Sequence, residues 1–330
     1  MKAFAWIAIL VLYSMVYVAP VQAQMDNMFY WFGDTERLRQ KEFEYDFGYM
    51  PDQDVEGQTD EFGMIEHEAR FAMPVWSENE GQRLGIFADM LYQDIDTSAV
   101  LPQSGMPFPD DLYDPQFGVD YVERLENGWV WGGMLGVSSP SDEPYNSFDE
   151  MEIELNSFVR IPHVDDNAWL VMLNFSTNRE FLNFVPLPGF AYWYQPNDRF
   201  VATLGIPLAF QYRPLEPLTL RASYIPLRNV FTEAAYDVTE QVQLFSGFEW
   251  SNERFLLADR RDDDDRLFYY EKRAQGGVRF SPRENISIEL TGGFAFDREY
   301  FLGEDYDDRD DDGFDVADSP FVDVSVNVRW

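Results

Sequence analysis

The chain has 330 residues, carries 60 Asp and Glu against 24 Lys and Arg for a formal charge of -36, and contains no cysteine. Such acidity excludes a nucleic-acid partner, because phosphate binding needs clustered bases. The missing thiols exclude a lipidated N-terminal Cys, disulfides, thiolate metal sites and a Cys nucleophile. Aromatic residues make up 17% of the chain, too many for a disordered acidic protein and suited to aromatic girdles at two lipid–water boundaries.

In chain order, Lys2 is followed by an apolar run from Ala3 to Val18 and then by small residues at Val21 and Ala23. This predicts a secretory signal peptide over 1–23, with an uncleaved N-terminal anchor as the alternative reading. No other stretch approaches 18 consecutive apolar residues, so no helical membrane span is expected. Residues 24–40 form a short periplasmic lead-in, and 41–330 are assigned to one barrel.

The first strand follows in Glu42-Phe43-Glu44-Tyr45-Asp46-Phe47-Gly48-Tyr49, where four aromatics share one face and Glu42, Glu44 and Asp46 share the other. The alternation recurs with Ile65, Ala69, Phe71 and Met73 opposite Glu66, Glu68 and Arg70. It recurs again in Leu84 to Tyr92, in Phe117 to Tyr121, and after the Glu126-Asn127-Gly128 turn in Trp129 to Val137. Ile153, Leu155, Val159 and Ile161 run opposite Glu152, Glu154 and Arg160. Trp169 to Phe175, Val242 to Trp250 and Ile286 to Phe296 repeat the pattern, and the terminal strand places Val322, Val324, Val326, Val328 and Trp330 on one face. A face that stays apolar through Trp330 is expected to face lipid rather than a protein core.

Connections alternate in length. Short turns fall at 77–82, 126–128, 163–167, 195–198, 214–217, 237–240 and 281–285, with longer links at 93–115, 139–148, 178–189, 257–266 and 301–319. Short periplasmic turns and long outer loops are the habit of outer-membrane barrels. Prolines crowd 190–236, so the count is 16 strands if the short runs are separate and 14 if they merge across Pro207 and Pro226. The expected fold is therefore an all-β transmembrane antiparallel barrel of 14 to 16 strands, closed by pairing of the C-terminal strand with Glu42–Asp46. Its place is the outer membrane of a Gram-negative cell, reached after export.

Leu112-Tyr113-Asp114, Glu126-Asn127-Gly128-Trp129 with Gly132-Gly133, Ser138 to Phe148, Val185-Pro186-Leu187-Pro188-Gly189 and Leu204-Gly205-Ile206-Pro207 resemble, in order, stretches of an uncharacterised family of bacterial outer-membrane β-barrel proteins, porin-like and known only as a domain of unknown function. These motifs run from about 110 to 210 and belong to loops and turns. The resemblance implies an outer-membrane barrel and supplies no activity.

Chemistry-bearing clusters are few. Asp308-Arg309-Asp310-Asp311-Asp312-Gly313 contains the first half of a calcium loop, with Asp308, Asp310 and Asp312 as candidate ligands for Ca2+ in the 305–318 loop. The closing Glu is replaced by Ser319, and a solvated polyacidic loop is the alternative. Asp262–Asp265 lacks the glycine and the spacing. His67 lies among wall positions and His163 in a turn, and neither belongs to a Ser/His/acid arrangement. The chain is accordingly expected to be no enzyme, with no catalytic residue and no resident cofactor.

The inward face is the remaining candidate, with Glu42, Glu44, Asp46, Glu66, Glu68, Arg70, Glu152, Glu154 and Arg160 as pore-lining residues. A wide acidic lumen favours a passive, cation-preferring channel for small solutes. The alternative is a non-conducting structural or adhesive barrel whose acidic loops bind divalent cations, and the apolar link 99–115 is a candidate plug. Expected partners are outer-membrane lipid, lipopolysaccharide and, through the C-terminal strand, the outer-membrane assembly machinery.

Overall fold

The computed structural model describes residues 40–330 apart from 79–80, 180–181, 227 and 310–311. The expected signal peptide and residues 24–39 of the lead-in thus lie outside the described residues. Seventeen strands form one sheet. The first eight are β1 (Glu42–Asp54), β2 (Glu61–Glu78), β3 (Gln82–Thr97), β4 (Asp111–Arg124), β5 (Val130–Ser138), β6 (Glu152–Pro162), β7 (Ala168–Ser176) and β8 (Leu187–Asn197). Four short strands follow, β9 (Phe200–Gly205), β10 (Leu208–Leu215), β11 (Leu218–Ile225) and β12 (Asn229–Asp237). The rest are β13 (Val242–Phe255), β14 (Arg266–Arg283), β15 (Ile286–Gly303), β16 (Asp312–Val316) and β17 (Ser319–Arg329).

From β1 to β15 each strand pairs antiparallel with its neighbours in sequence. β16 and β17 pair with successive parts of β15, Arg298 opposite Val316 and Ala295 opposite Ser319. They are one interrupted wall strand, so the closed barrel has 16. Closure joins β1 to β17, the expected pair, in a register that runs from Glu42 opposite Arg329 to Tyr49 opposite Val322. Lys41 and Trp330 add a reciprocal pair of backbone bonds at 3.0 Å. A closed ring leaves no unpaired edge, which is the condition for a sheet to stand in hydrocarbon.

The apolar faces read from the sequence point outward and stay exposed. Phe117, Leu135, Leu155, Trp169, Leu244, Leu290 and Val322 all belong to this uncovered belt. In a water-soluble fold so continuous an apolar surface would be covered. Trp169, Tyr212 and Tyr236 on β7, β10 and β12, with Trp129 just before β5 and Trp330 just after β17, are exposed aromatics near the short-turn end. At one of those turns Gly128 takes φ 82° and Asn127 Oδ1 accepts the Trp129 amide at 3.0 Å. Only a residue without Cβ enters that region freely.

The short turns fall as expected at one end, between β2 and β3, β4 and β5, and onward to β14 and β15. At the other end the structure departs from strict alternation. Residues 98–110, 139–151, 177–186, 256–265 and 304–311 are long connections, but β9–β10 and β11–β12 are joined by only 206–207 and 226–228. Pro207 and Pro226 sit in these turns, because neither can donate to a ladder and each favours a turn. The separate-strand reading holds, and it leaves β9 to β12 at 6, 8, 8 and 9 residues against 18 for β2, β14 and β15.

The largest apolar core lies inside the long-connection end. Phe62, Met64, Ile95, Leu112, Phe255, Leu267, Tyr269, Tyr300, Phe314 and Val316 gather there with Ala99, Leu101 and Phe108 of the 98–110 connection. A second cluster, including Val122, Val130, Phe158, Leu170 and Trp193, lies inward on β4–β8 towards the turns.

Candidate functional site in the barrel lumen

Inward positions of β1, β2 and β17 carry the first charged group. Arg70 donates to Glu68 at 2.8 Å and to Glu44 at 3.4 Å. Glu42 accepts from Asn327 Nδ2 and from Arg329 Nε, each at 2.8 Å. Asp46 stands opposite Ser325 on β17 and Glu68 on β2. Alternation forces these side chains to one side of the wall, and closure of β1 on β17 then stacks them into a ladder.

Glu66 accepts from Gln93 Nε2 at 2.9 Å, and the same amide reaches Glu253 of β13 at 3.3 Å. Between β3 and β13 the wall contains β2, β1, β17, β15 and β14, so Gln93 bridges the lumen rather than neighbouring strands. Arg254 also reaches across, bonding Glu152 of β6 at 2.9 Å. Glu154 accepts from Asn174 at 2.8 Å, and Oε2 of that carboxylate has no hydrogen-bond partner. Arg160 donates to Asp166 O at 3.3 Å in the β6–β7 turn. The predicted lining residues therefore form several groups at different heights, not one ring.

Sequence reasoning missed Gln93, Glu233, Glu253 and Arg254. Glu253 has the parity of Glu249 and was accessible to the two-residue count. Arg254 has the opposite parity. β12 ends opposite Ser251, so the tip of β13 has no neighbour on that side and leans over the low wall towards β6. Further round the wall, Arg279 donates to Glu289 at 2.7 Å and Glu233 at 3.2 Å, and Arg221 reaches Glu233 at 3.4 Å. Arg273 pairs with Glu271 and lies 3.8 Å from Asp323, with its guanidinium over the Phe321 ring.

The connections complete the closure of the mouth at the long-connection end. Gln103 and Ser104 donate their amides to Asp312 at 2.7 and 3.1 Å, and Arg261 bonds Ser104 O at 2.8 Å. Leu256 N bonds Pro140 O at 2.6 Å, Ala258 N bonds Asp142 at 2.8 Å, and Arg260 bonds Leu257 O at 2.7 Å and Glu150 at 3.4 Å. Residues 99–108 of the candidate plug 99–115 thus fill the mouth, whereas 111–115 belong to the wall strand β4. The strap over 256–265 was not anticipated.

Of the candidate calcium ligands, Asp308 accepts the amides of Glu304 and Asp305 at 3.0 and 3.1 Å, while Asp312 caps Gln103 and Ser104. Asp310 lies outside the described residues. Among the described residues no group of three or more His, Asp or Glu is disposed to hold a metal ion. In the strap, burial and then the neighbouring Asp262 push the Asp265 carboxyl upward. In the last outer connection burial pushes the Tyr306 phenol up to about 12. His67 faces outward, 2.8 Å from the Tyr45 hydroxyl and stacked on Tyr92, and His163 lies 3.0 Å from the Tyr192 hydroxyl.

No family model and no curated protein matches this chain. Among solved structures it is similar to an outer-membrane channel from Pseudomonas putida F1, with 10% identity, 96% of this chain and 98% of that one covered, and a TM-score of 0.38. It is also similar to a FadL homologue from Pseudomonas aeruginosa, with 13% identity, coverage of 88% and 89%, and a TM-score of 0.38. The transport unit of the Escherichia coli autotransporter AIDA-I gives 10% identity, coverage of 96% and 99%, and a TM-score of 0.35. None of these likenesses assigns a solute.

Proposed function

We propose that this protein is an outer-membrane channel for small solutes that favours cations and is held closed at its outer mouth by its own connections. The observation that carries the reading is the inward face. Glu44, Asp46, Glu66, Glu68, Asp89, Glu249, Glu253, Glu271, Glu289 and Asp323 line one arc, answered there by Arg70, Arg273, Arg279 and Arg298. An acid-rich passage lowers the energy of a cation and raises that of an anion. The uncovered apolar belt, its aromatics and the closing strand ending in Trp330 support the compartment and a role for that strand in recognition by the assembly machinery.

Planar-bilayer recording on refolded protein tests this. The intact chain is expected to give rare steps, Gln93→Ala and a deletion of 99–108 more frequent ones, all with cations carrying more current than anions. Absence of steps from every form, or an anion preference, overturns the reading.

A second reading is favoured by the filled mouth itself: a non-conducting surface barrel whose acidic connections, with Asp308, Asp310 and Asp312, bind divalent cations and bridge lipopolysaccharide. It predicts a melting temperature that rises in millimolar calcium and falls with chelator, since a ligand bound only to the native state stabilises it. Indifference to both removes it.

A further inference from the structure

The wall has unequal height, and so does its lipid-facing apolar surface. On β15 outward apolar side chains run from Ile286 to Phe296, eleven residues. On β9 they run from Phe200 to Leu204 and on β10 from Leu208 to Tyr212, five residues each. β11 and β12 offer Leu218 to Tyr224 and Val230 to Tyr236, seven each. A strand rises roughly 3.3 Å per residue, and a tilt of about 40° reduces this to about 2.5 Å along the membrane normal. The β15 side then spans about 25 Å, the usual height of a barrel's apolar band, and the β9–β10 side about 10 Å, or about 18 Å counting Leu215 beyond the register shift.

What stands just beyond each rim differs too. Above Ile65, Tyr92 and Tyr113 the tall side shows Glu61, Asp94, Asp96 and Asp111, which mark the approach to water. Beyond the low rim, where β12 stops opposite Ser251, come the charged contacts Arg254–Glu152 and Arg260–Glu150. Hydrocarbon of ordinary thickness at that place would lie against the backbone of the 206–207 turn and of residues 226 and 228, at the level of these buried pairs. Polar groups in hydrocarbon without partners cost several kcal/mol each, whereas thinning a bilayer costs fractions of a kcal/mol per Å.

We infer that the β9–β12 face is a lipid-interaction surface that takes its bilayer thinned, with lipid headgroups drawn down to the low rim while the β15 face meets hydrocarbon of full depth. This rests on the reading that the barrel spans a membrane. The natural absence of cysteine allows single spin labels at Leu208→Cys, on the low rim, and at Leu290→Cys, midway up β15, both outward and exposed. In vesicles of dioleoylphosphatidylcholine, collision with oxygen and with a water-soluble nickel chelate gives the depth of each label. The expected result is a hydrocarbon depth at Leu290→Cys and a headgroup depth at Leu208→Cys, about 10 Å shallower. Equal depths would overturn the thinning while leaving the membrane reading intact. A water-exposed label at Leu290→Cys would overturn the membrane reading itself. Leu204→Cys, outward at the end of β9, gives the same measurement if Leu208→Cys fails to fold.

Discussion

Phe108→Ala tests whether apolar packing or backbone bonding holds the 98–110 connection in the mouth. Phe108 is 5% exposed, with its ring 4.8 Å from Tyr300, 5.4 Å from Phe314 and 5.7 Å from Phe62. Truncating a buried Phe costs about 3–5 kcal/mol. The backbone bonds Phe108 N to Ala99 O at 3.0 Å and Leu101 N to Met106 O at 2.8 Å survive the change, as do the Asp312 contacts. The loss therefore falls on local opening of the connection rather than on the barrel ladder. At about 1.4 kcal/mol per tenfold, the open population rises roughly a hundred- to several-thousand-fold. Hydrogen exchange in detergent micelles reads this directly at the amides of Leu101 and position 108. Amides of β14 and β15, paired along nearly their whole length, should keep their protection. Unchanged protection at 101 and 108 in a variant that remains folded would refute the argument and leave Asp312 and the backbone bonds as the clasp.

Arg254→Met leaves Glu152, 2% exposed, buried without its cation, and should destabilise by about 3–5 kcal/mol in urea unfolding. The double change Arg254→Met with Glu152→Leu should recover most of that loss, and a double variant no better than the single one would count against a pairing role. Removing Trp330 should lower the fraction of chain inserted in outer membranes, read as the heat-modifiable band on gels. Unaltered assembly of that truncation counts against the closing strand as an assembly signal.

The two-residue alternation determined much by itself. It identified the faces of β1 to β7 and of β13, β15 and β17, the seven short turns at one end, and the pairing of the last strand with Glu42–Asp46, while β16 (Asp312–Val316) was hidden in the link 301–319. Each of these follows from a local rule, because a side chain's face depends only on its parity within the strand. The sequence left the count open between 14 and 16 because Pro207 is compatible with both a bent strand and a turn until neighbours are in place. Only closure of the sheet decided which charges meet. Gln93 and Glu253 are 160 residues apart and touch because the ring brings opposite arcs within reach across the lumen. Arg254 points inward against its parity because β12 is short and leaves the tip of β13 without a neighbour. The acid-rich lumen was thus written in local pattern, while its filled mouth and uneven rim are properties of the closed ring, where strands of unequal length must share one circumference.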